Sequence, residues 1–247
     1  MKVAVISDIH GNMIALEAVL KDMKACGCEK VFCLGDYIMA GPEPSKVLDY
    51  FFKMQFDSNY TMIQGNTDLM LADFSEELYE ALKVKAPVMA EALKYDSSLI
   101  NHIQRDFLKT LPMQQEVIIN GVKFLLVHGS PRKNNEDIMP DTSLAEVEKM
   151  IEGVDADVIL CGHTHIPCGF QTHTKQTVVN VGSVGRPFTP EPKSCYLVIT
   201  IVEGKCLFEH RFVEYDNKKS AELITIQGFD GVEKLAATLI NPQVRHF

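Results

Sequence analysis

Short apolar runs that each end in a polar cluster are the feature that most constrains the fold of this chain. The first three lie over residues 2–7, 31–34 and 60–63, and they lead into Asp8-Ile9-His10, Gly35-Asp36 and Gly65-Asn66. Helical periodicity follows the first run from Met13 and the second over residues 45–54. Strand, polar loop and helix in repetition predict right-handed βαβ units, a largely parallel sheet and therefore an α/β fold.

The second half of the chain changes from this pattern to one of hairpins. Asn120-Gly121 separates two apolar runs, residues 116–119 and 122–127, which predicts a two-residue hairpin whose second strand leads into His128-Gly129. Another buried run ends at Cys161-Gly162-His163-Thr164-His165. Later strands are expected over residues 169–172, 177–181, 195–202 and 205–213, and helices over 143–151, 217–226 and 231–240. The chain is therefore expected to begin parallel and to finish as an antiparallel meander.

Residues 69–111 interrupt the strands with helical sequence. Leu99, Ile103 and Phe107 form one apolar stripe after a candidate N-cap at Ser97. We interpret this segment as a helical cap insertion within a single domain that spans residues 1–247, because no repeat, low-complexity tract or linker marks a domain boundary.

Composition limits the partners and the compartment. A net charge of −9 argues against extended nucleic-acid binding, which depends on Lys and Arg neutralising phosphates. The seven cysteines are an odd number and are scattered, as is typical of reduced thiols in a cytoplasmic protein. No apolar segment is long enough to predict a signal peptide or a membrane span.

The polar clusters share one location, because each follows a predicted strand and ligands gather at the carboxyl ends of strands in open α/β sheets. Their members are two carboxylates, one amide and four imidazoles: Asp8, His10, Asp36, Asn66, His128, His163 and His165. Mixed oxygen and nitrogen ligands suit Mn, Fe, Zn, Ni or Co better than Ca or Mg. These ligands are too many for one transition-metal ion, so we expect two divalent ions bridged by Asp36, with Mn²⁺ the best choice for assays.

The order of these motifs resembles the calcineurin-like metallophosphoesterase superfamily. The resemblance covers about residues 2–185, and it rests on Asp8-x-His10, Gly35-Asp36, Gly65-Asn66-x-Asp68, His128-Gly129 and Gly162-His163-Thr164-His165. The segments 7–12 and 180–187 are similar to its small bacterial and archaeal phosphodiesterase branch. This resemblance implies a four-layer sandwich of two mixed β-sheets flanked by helices.

The family pattern also implies how the ligands divide and what they do. It places Asp8, His10, Asp36 and His165 at one ion and Asp36, Asn66, His128 and His163 at the other. The implied reaction is hydrolysis of a small phosphodiester or nucleotide-type substrate by metal-activated water, with Asn66 and His128 also counted as catalytic. Many members carry a histidine where this chain has Thr67. Its absence favours leaving groups that need little protonation.

Other polar residues have a structural and a functional interpretation. Asn12 is a candidate substrate contact, but it also suits the N-cap of the helix that begins at Met13. Arg186 in a glycine-rich loop is a candidate phosphate ligand, and Asp68 is either a helix-start acid or a residue that orients a ligand. We expect ordinary structural or surface roles for the remaining histidines, which are His102, His173, His210 and His246.

Two rival functions and the oligomeric state stay open on the sequence alone. A retromer subunit resembles the same fold and binds protein partners, so a non-catalytic scaffold is one rival, although a scaffold has no chemical need for such a ligand set. A nuclease is the other. The sequence is compatible with a homodimer and does not establish one.

Overall fold

The computed structural model describes residues 1–242, which form two five-stranded sheets and the helices around them. The strands are β1 (Lys2–Ile6), β2 (Lys30–Cys33), β3 (Tyr60–Met62), β4 (Gln114–Ile119), β5 (Val122–Val127), β6 (Val158–Cys161), β7 (Cys168–Gln171), β8 (Thr177–Asn180), β9 (Ser194–Val202) and β10 (Lys205–Val213). The helices are α1 (Met13–Ala25), α2 (Pro44–Met54), α3 (Asn66–Ala72), α4 (Glu76–Lys85), α5 (Pro87–Leu99), α6 (His102–Thr110), α7 (Leu144–Met150), α8 (Asn217–Thr225) and α9 (Val232–Ile240).

Alternation along the strands explains the layers. Successive side chains of a strand point to opposite faces. Val3 and Val5 of β1 therefore join the core between the two sheets, where Phe124 of β5 also lies. Ala4 and Ile6 point the other way and pack beneath the helices of the first sheet. A third cluster packs α7 on the outer face of the second sheet, so the four-layer sandwich of two mixed sheets is confirmed.

The order of strands differs in one respect from the sequence-based expectation. The sheets run β10-β9-β1-β2-β3 and β4-β5-β6-β8-β7. Strands β1, β2 and β3 are parallel, as are β5, β6 and β8. The last four strands form two antiparallel hairpins, β7–β8 and β9–β10, as predicted. They do not form one meander, because β9 lies in the first sheet and pairs antiparallel with β1. The last hairpin thus closes the first sheet and brings the end of the chain back beside its beginning.

The segment predicted to be a helical cap contains most of α3 and all of α4, α5 and α6. The expected Leu99, Ile103 and Phe107 stripe is wrong, because α5 ends at Leu99 and α6 begins only at His102. Leu99 and Ile103 are exposed, whereas Phe107 is buried. The break arises at Asn101, whose side chain accepts the Gln104 N–H and caps α6.

Candidate metal centre

Five strands deliver the predicted ligands to one edge of the sandwich. Asp8 and His10 follow β1, Asp36 follows β2, and Asn66 opens α3 after β3. The second sheet supplies His128 after β5, and His163 and His165 after β6. Because these strands are parallel within each sheet, their carboxyl ends meet, as the sequence pattern predicts.

Two buried groups of carboxylates and imidazoles result. Asp8 Oδ1 lies 3.2 Å from His165 Nε2 and 3.8 Å from His10 Nε2. Asp36 Oδ2 lies 3.3 Å from His128 Nε2 and 3.7 Å from His10 Nε2. The carboxyl oxygen Oδ2 of Asp36 therefore lies between His10 of the first group and His128 of the second. Asp8 belongs to both groups, since its Oδ1 also lies 3.9 Å from His128 Nε2.

Backbone carbonyls fix the tautomer of three of the histidines. The Nδ1 atoms of His10, His128 and His165 lie 2.5–2.8 Å from the carbonyl oxygens of Met39, Leu34 and Arg186, respectively. A carbonyl only accepts, so each Nδ1 carries the hydrogen and donates it. Each Nε2 is then left to face the carboxylates, which is the arrangement of an imidazole that binds a cation.

The Nε2 atoms of His10 and His165 provide a direct test of whether the site suits a metal ion. They lie 3.1 Å apart. With both Nδ1 atoms protonated, two nitrogen lone pairs face each other and two buried carboxylates lie beside them, which is repulsive without a positive charge. Within residues 1–242, Asp8 Oδ1 is also buried without a hydrogen-bond donor. The residues present therefore fit a metal centre.

The pKa values of two of these histidines also indicate that the site favours a positive charge. Burial and the neighbouring His165 lower the pKa of His10 to about 3, so its imidazole is neutral. Burial also opposes protonation of His128, but the charges of Asp36 and Asp8 outweigh it and raise its pKa to about 10. Without a metal ion, the buried carboxylates thus hold a proton on His128.

The ligand loops adopt strained backbone conformations. Five of the seven predicted ligands have positive φ angles between 46° and 68°, namely Asp8, His10, Asp36, His163 and His165. Residues other than glycine rarely adopt this region, and such strain is concentrated at functional sites. Glycine permits the close approach of the loops. A Cβ atom at Gly65 would lie 2.1 Å from Asp36 Oδ1, and one at Gly162 would lie 2.6 Å from Asp8 Oδ2.

A cavity of about 350 Å³ lies over the centre and reaches the helical segment. Apart from predicted ligands, its lining consists of Met39, Thr67, Met70, Leu82, Ala86, Met89, Arg186 and Phe188. Phe188 stacks on the His165 ring at 4.7 Å. Most of this lining is apolar, and Arg186 is the one charged side chain among these eight. A larger open depression beside α8 contains none of the predicted ligands.

Comparison with known proteins identifies the family. Residues 1–204 match the model of the calcineurin-like phosphoesterase superfamily domain. This chain belongs to that superfamily. An uncharacterized protein of Methanocaldococcus jannaschii is 31% identical over 238 residues, which cover 90% of this chain and 91% of the relative.

Solved structures show the same fold. A hypothetical protein from Pyrococcus horikoshii OT3 is 25% identical, with a TM-score of 0.86 and 98% of both chains covered. A metallophosphoesterase from Sphaerobacter thermophilus is 22% identical, with a TM-score of 0.77 and 97% and 98% covered. Separately, no helix within residues 1–242 is long and apolar enough to cross a membrane.

The two candidate substrate contacts, Arg186 and Asn12, differ in whether they line the cavity. Arg186 lines the cavity over the centre, with its guanidinium Nη1 3.7 Å from Met89 Sδ. Asn12 does not line it. Its side chain is fully buried, accepts the Ala15 N–H at the start of α1 and donates to Gly185 O. The geometry of Asn12 is therefore that of the helix cap, the structural alternative.

Asp68 has both of the roles considered from the sequence, as an acid at a helix start and as a residue that orients a predicted ligand. Its carboxylate accepts the N–H of Gly65, at the start of α3, and the N–H groups of Asp36 and Tyr37 at 2.7 and 2.9 Å. One side chain thus ties the Asp36 loop to the loop that carries Asn66. Thr67 adds to this, because its N–H donates to Asp36 Oδ1 at 2.9 Å.

Of the histidines without a predicted role, His102 and His173 are exposed, and His210 lies 2.8 Å from Asn180 O at the edge of the first sheet. His246 lies outside the described residues.

Sequence reasoning missed Asp137. Its Oδ1 lies 3.3 Å from His163 Nε2. The residue lies in the long loop after β5 rather than directly after a strand, so the rule that located the predicted ligands does not find it. A carboxylate close to a motif histidine in space leaves no signal in the spacing of the sequence.

Proposed function

We propose that this protein is a dimetal phosphoesterase that hydrolyses a small phosphodiester or nucleotide-type substrate by direct attack of water. The observation that carries the proposal is the convergence of the Nε2 atoms of His10, His128 and His165 on the buried carboxylates of Asp8 and Asp36. Membership of the superfamily supports the same conclusion.

The ligands divide between two ions in this proposal. Asp8, His10, Asp36 and His165 hold one ion, and Asp36, Asn66, His128 and His163 hold the other. Two divalent transition-metal ions bound there, Mn²⁺ among them, supply Lewis acidity towards phosphate oxygens and make water a stronger nucleophile. The backbone carbonyls behind three of the imidazoles keep the ligands preorganised.

Arg186 supplies the positive charge of the protein itself to the substrate. Its guanidinium is largely buried and lines the cavity beside the centre. A planar fork of donors suits two oxygens of one phosphate group. The phosphate is thus held between the centre and Arg186, and the organic groups extend towards the apolar lining.

The residues that line the cavity also restrict which leaving groups the enzyme can expel. Thr67 occupies the position where many relatives carry a histidine, and its hydroxyl donates to Ile38 O at 3.1 Å. Apart from predicted ligands, the cavity-lining residues between positions 1 and 242 include no carboxylic acid, histidine, lysine or tyrosine. Because proton donation to the leaving group is worth about 10²–10⁴-fold, the enzyme favours activated diesters and polyphosphate-linked nucleotides over alkyl monoesters.

The size of the cavity favours a small substrate. Leu82, Ala86 and Met89, at α4 and the start of α5, cover the centre and leave about 350 Å³, which is within the usual range for small-molecule sites. Together with the net charge of −9, this argues against a nucleic-acid partner. A cytoplasmic location and a homodimer stay predictions.

Hydrolysis of bis-p-nitrophenyl phosphate with Mn²⁺, Co²⁺, Ni²⁺ or Zn²⁺ tests the activity. We expect turnover that depends on the added metal and exceeds that of p-nitrophenyl phosphate. Cyclic nucleotides and dinucleoside polyphosphates then define the natural class. Folded protein without turnover under any of these ions contradicts the enzyme. Faster digestion of single- or double-stranded DNA than of small diesters contradicts the small-substrate part.

A further inference from the structure

His163 differs from the other predicted imidazole ligands in its partner. The other three hold a backbone carbonyl with Nδ1. His163 instead has a side-chain carboxylate near its Nε2, since Asp137 Oδ1 lies 3.3 Å away. Its backbone N–H donates to Asp8 Oδ2 at 3.0 Å, so His163 is already tied to the centre through its main chain.

The loop that carries Asp137 is folded firmly on itself. Ser130 N–H donates to Lys133 O at 2.8 Å, and the Ser130 hydroxyl donates to the Glu136 carboxylate. Arg132 pairs with the same carboxylate. Asp137 follows directly after this network, so its position does not depend on a flexible connection.

Asn180 links the Asp137 loop to the His163 motif. Its amide nitrogen lies 3.3 Å from the carbonyl oxygen of Ile138, the neighbour of Asp137. The same nitrogen lies 2.8 Å from the carbonyl oxygen of Gly162, the neighbour of His163. Both Asn180 and Ile138 are buried. One buried amide therefore fixes the backbone on the two sides of the Asp137–His163 contact.

We propose that Asp137 is a positioning residue whose carboxylate, 3.3 Å from His163 Nε2, favours the hydrogen on that nitrogen and so leaves Nδ1 as the nitrogen that binds metal. This inference rests on the proposed dimetal function. His163 then binds the ion through Nδ1. His10, His128 and His165 bind through Nε2, because backbone carbonyls hold their Nδ1–H groups. Carboxylate partners of this kind orient metal-binding histidines and raise their basicity, and their loss costs about 10–100-fold in metal affinity.

Titration with Mn²⁺, in which electron paramagnetic resonance measures the free ion, gives the stoichiometry and both affinities. We expect two equivalents in the wild type. Asp137→Ala should retain one affinity and weaken the second by about 10–100-fold. Asp137→Asn should give an intermediate loss, because its amide oxygen still favours the hydrogen on Nε2 but carries no charge. Asp141→Ala, which removes an exposed carboxylate from the same loop, is the matched control and should bind like the wild type.

Histidine ¹⁵N–¹H correlation spectra of the metal-free protein supply a second readout that does not depend on activity. We expect the Nε2–H tautomer at His163 in the wild type and a mixture in Asp137→Ala. Two wild-type affinities and an unchanged tautomer in folded Asp137→Ala overturn the role of Asp137 alone. A wild type that binds no Mn²⁺, Co²⁺ or Zn²⁺ overturns the proposed dimetal function, and this inference with it.

Discussion

The Nε2 atoms of His10 and His165 lie 3.1 Å apart, although 155 positions separate the residues in the chain. Met39 O and Arg186 O hold the opposite nitrogens, so neither ring is free to turn its lone pair away. Their convergence beside Asp8 makes the site costly without a positive charge. The geometry of the metal-free centre therefore already favours a bound cation.

Divalent metal ions should stabilise the fold. An ion that binds the native state alone raises the free energy of unfolding, by about 2.7 kcal/mol at 100 times its Kd. We expect Mn²⁺ to raise the Tm in thermal unfolding, and we expect Mg²⁺ and Ca²⁺ to raise it less, because four imidazoles suit transition metals. His165→Ala should lose most of the effect, and His102→Ala should keep it. An equal response of both variants contradicts the site.

His128→Ala should abolish turnover. The imidazole is fully buried between Asp36 and Asp8, so its loss removes a ligand and leaves the carboxylates without their partner. We expect kcat with bis-p-nitrophenyl phosphate to fall by at least about 100-fold. This is the upper end of the loss seen when a residue that only orients a metal ligand is removed. Circular dichroism checks that the variant folds, and His173→Ala is the exposed control. A wild-type rate refutes the assignment of His128.

Leu82→Ala should weaken the recognition of the organic part of the substrate. Leu82 lines the cavity, whereas Val84 on the same helix is 86% exposed. Removing a half-buried leucine side chain from a contact with substrate should lower kcat/KM about 10-fold, which is the order expected for burial of a few methylene groups. Val84→Ala is the matched control. Similar values for both variants would mean that α4 does not touch the substrate.

Arg186→Met should raise the KM more than it lowers kcat if the guanidinium binds the phosphate. Hydrogen bonds to charged groups are worth about 1.5–3 kcal/mol, so kcat/KM should fall about 10–100-fold. Lysine at this position should recover only part of the loss, because it lacks the planar fork. Arg211→Ala, which breaks an ion pair with Asp22 on α1, is the control. An unchanged KM in Arg186→Met excludes the phosphate contact.

Asp96 on α5 should make stability depend on pH. It accepts the Ala40 N–H at 3.1 Å, and burial raises its pKa to about 8. The native state therefore keeps a proton that the unfolded chain releases near pH 4, so Asp96 lowers stability as the pH rises from about 4 to 8.

Asp96→Asn removes this titration and keeps an oxygen that can accept the Ala40 N–H. We expect denaturant unfolding to show a gain of about 2–5 kcal/mol at pH 8 and less than about 1 kcal/mol at pH 4, since one pKa unit corresponds to about 1.4 kcal/mol. Asp106→Asn, on the exposed face of α6, should show neither change. A gain that is independent of pH would show that Asp96 is ionised throughout.

The sequence by itself determined the elements and the predicted ligands. Apolar runs end at polar residues over distances of a few positions, so the periodicity located the strands to within one or two residues of their observed bounds. The Asn120-Gly121 hairpin was predicted for the same reason, because both residues must adopt positive φ angles there, which are 50° and 81°. Local conformational preference and residue chemistry are sufficient for such features.

Only the tertiary structure decided what lies around those ligands. The pairing of β9 with β1, the partner carbonyls of three imidazoles, the contact of Asp137 with His163 and the apolar lining over the centre all join segments far apart in the chain. Such contacts depend on how whole layers pack, because a buried polar group must find its partner wherever the fold places one. The sequence pattern was thus sufficient to predict the ligands, whereas the packing of the fold determined their orientation.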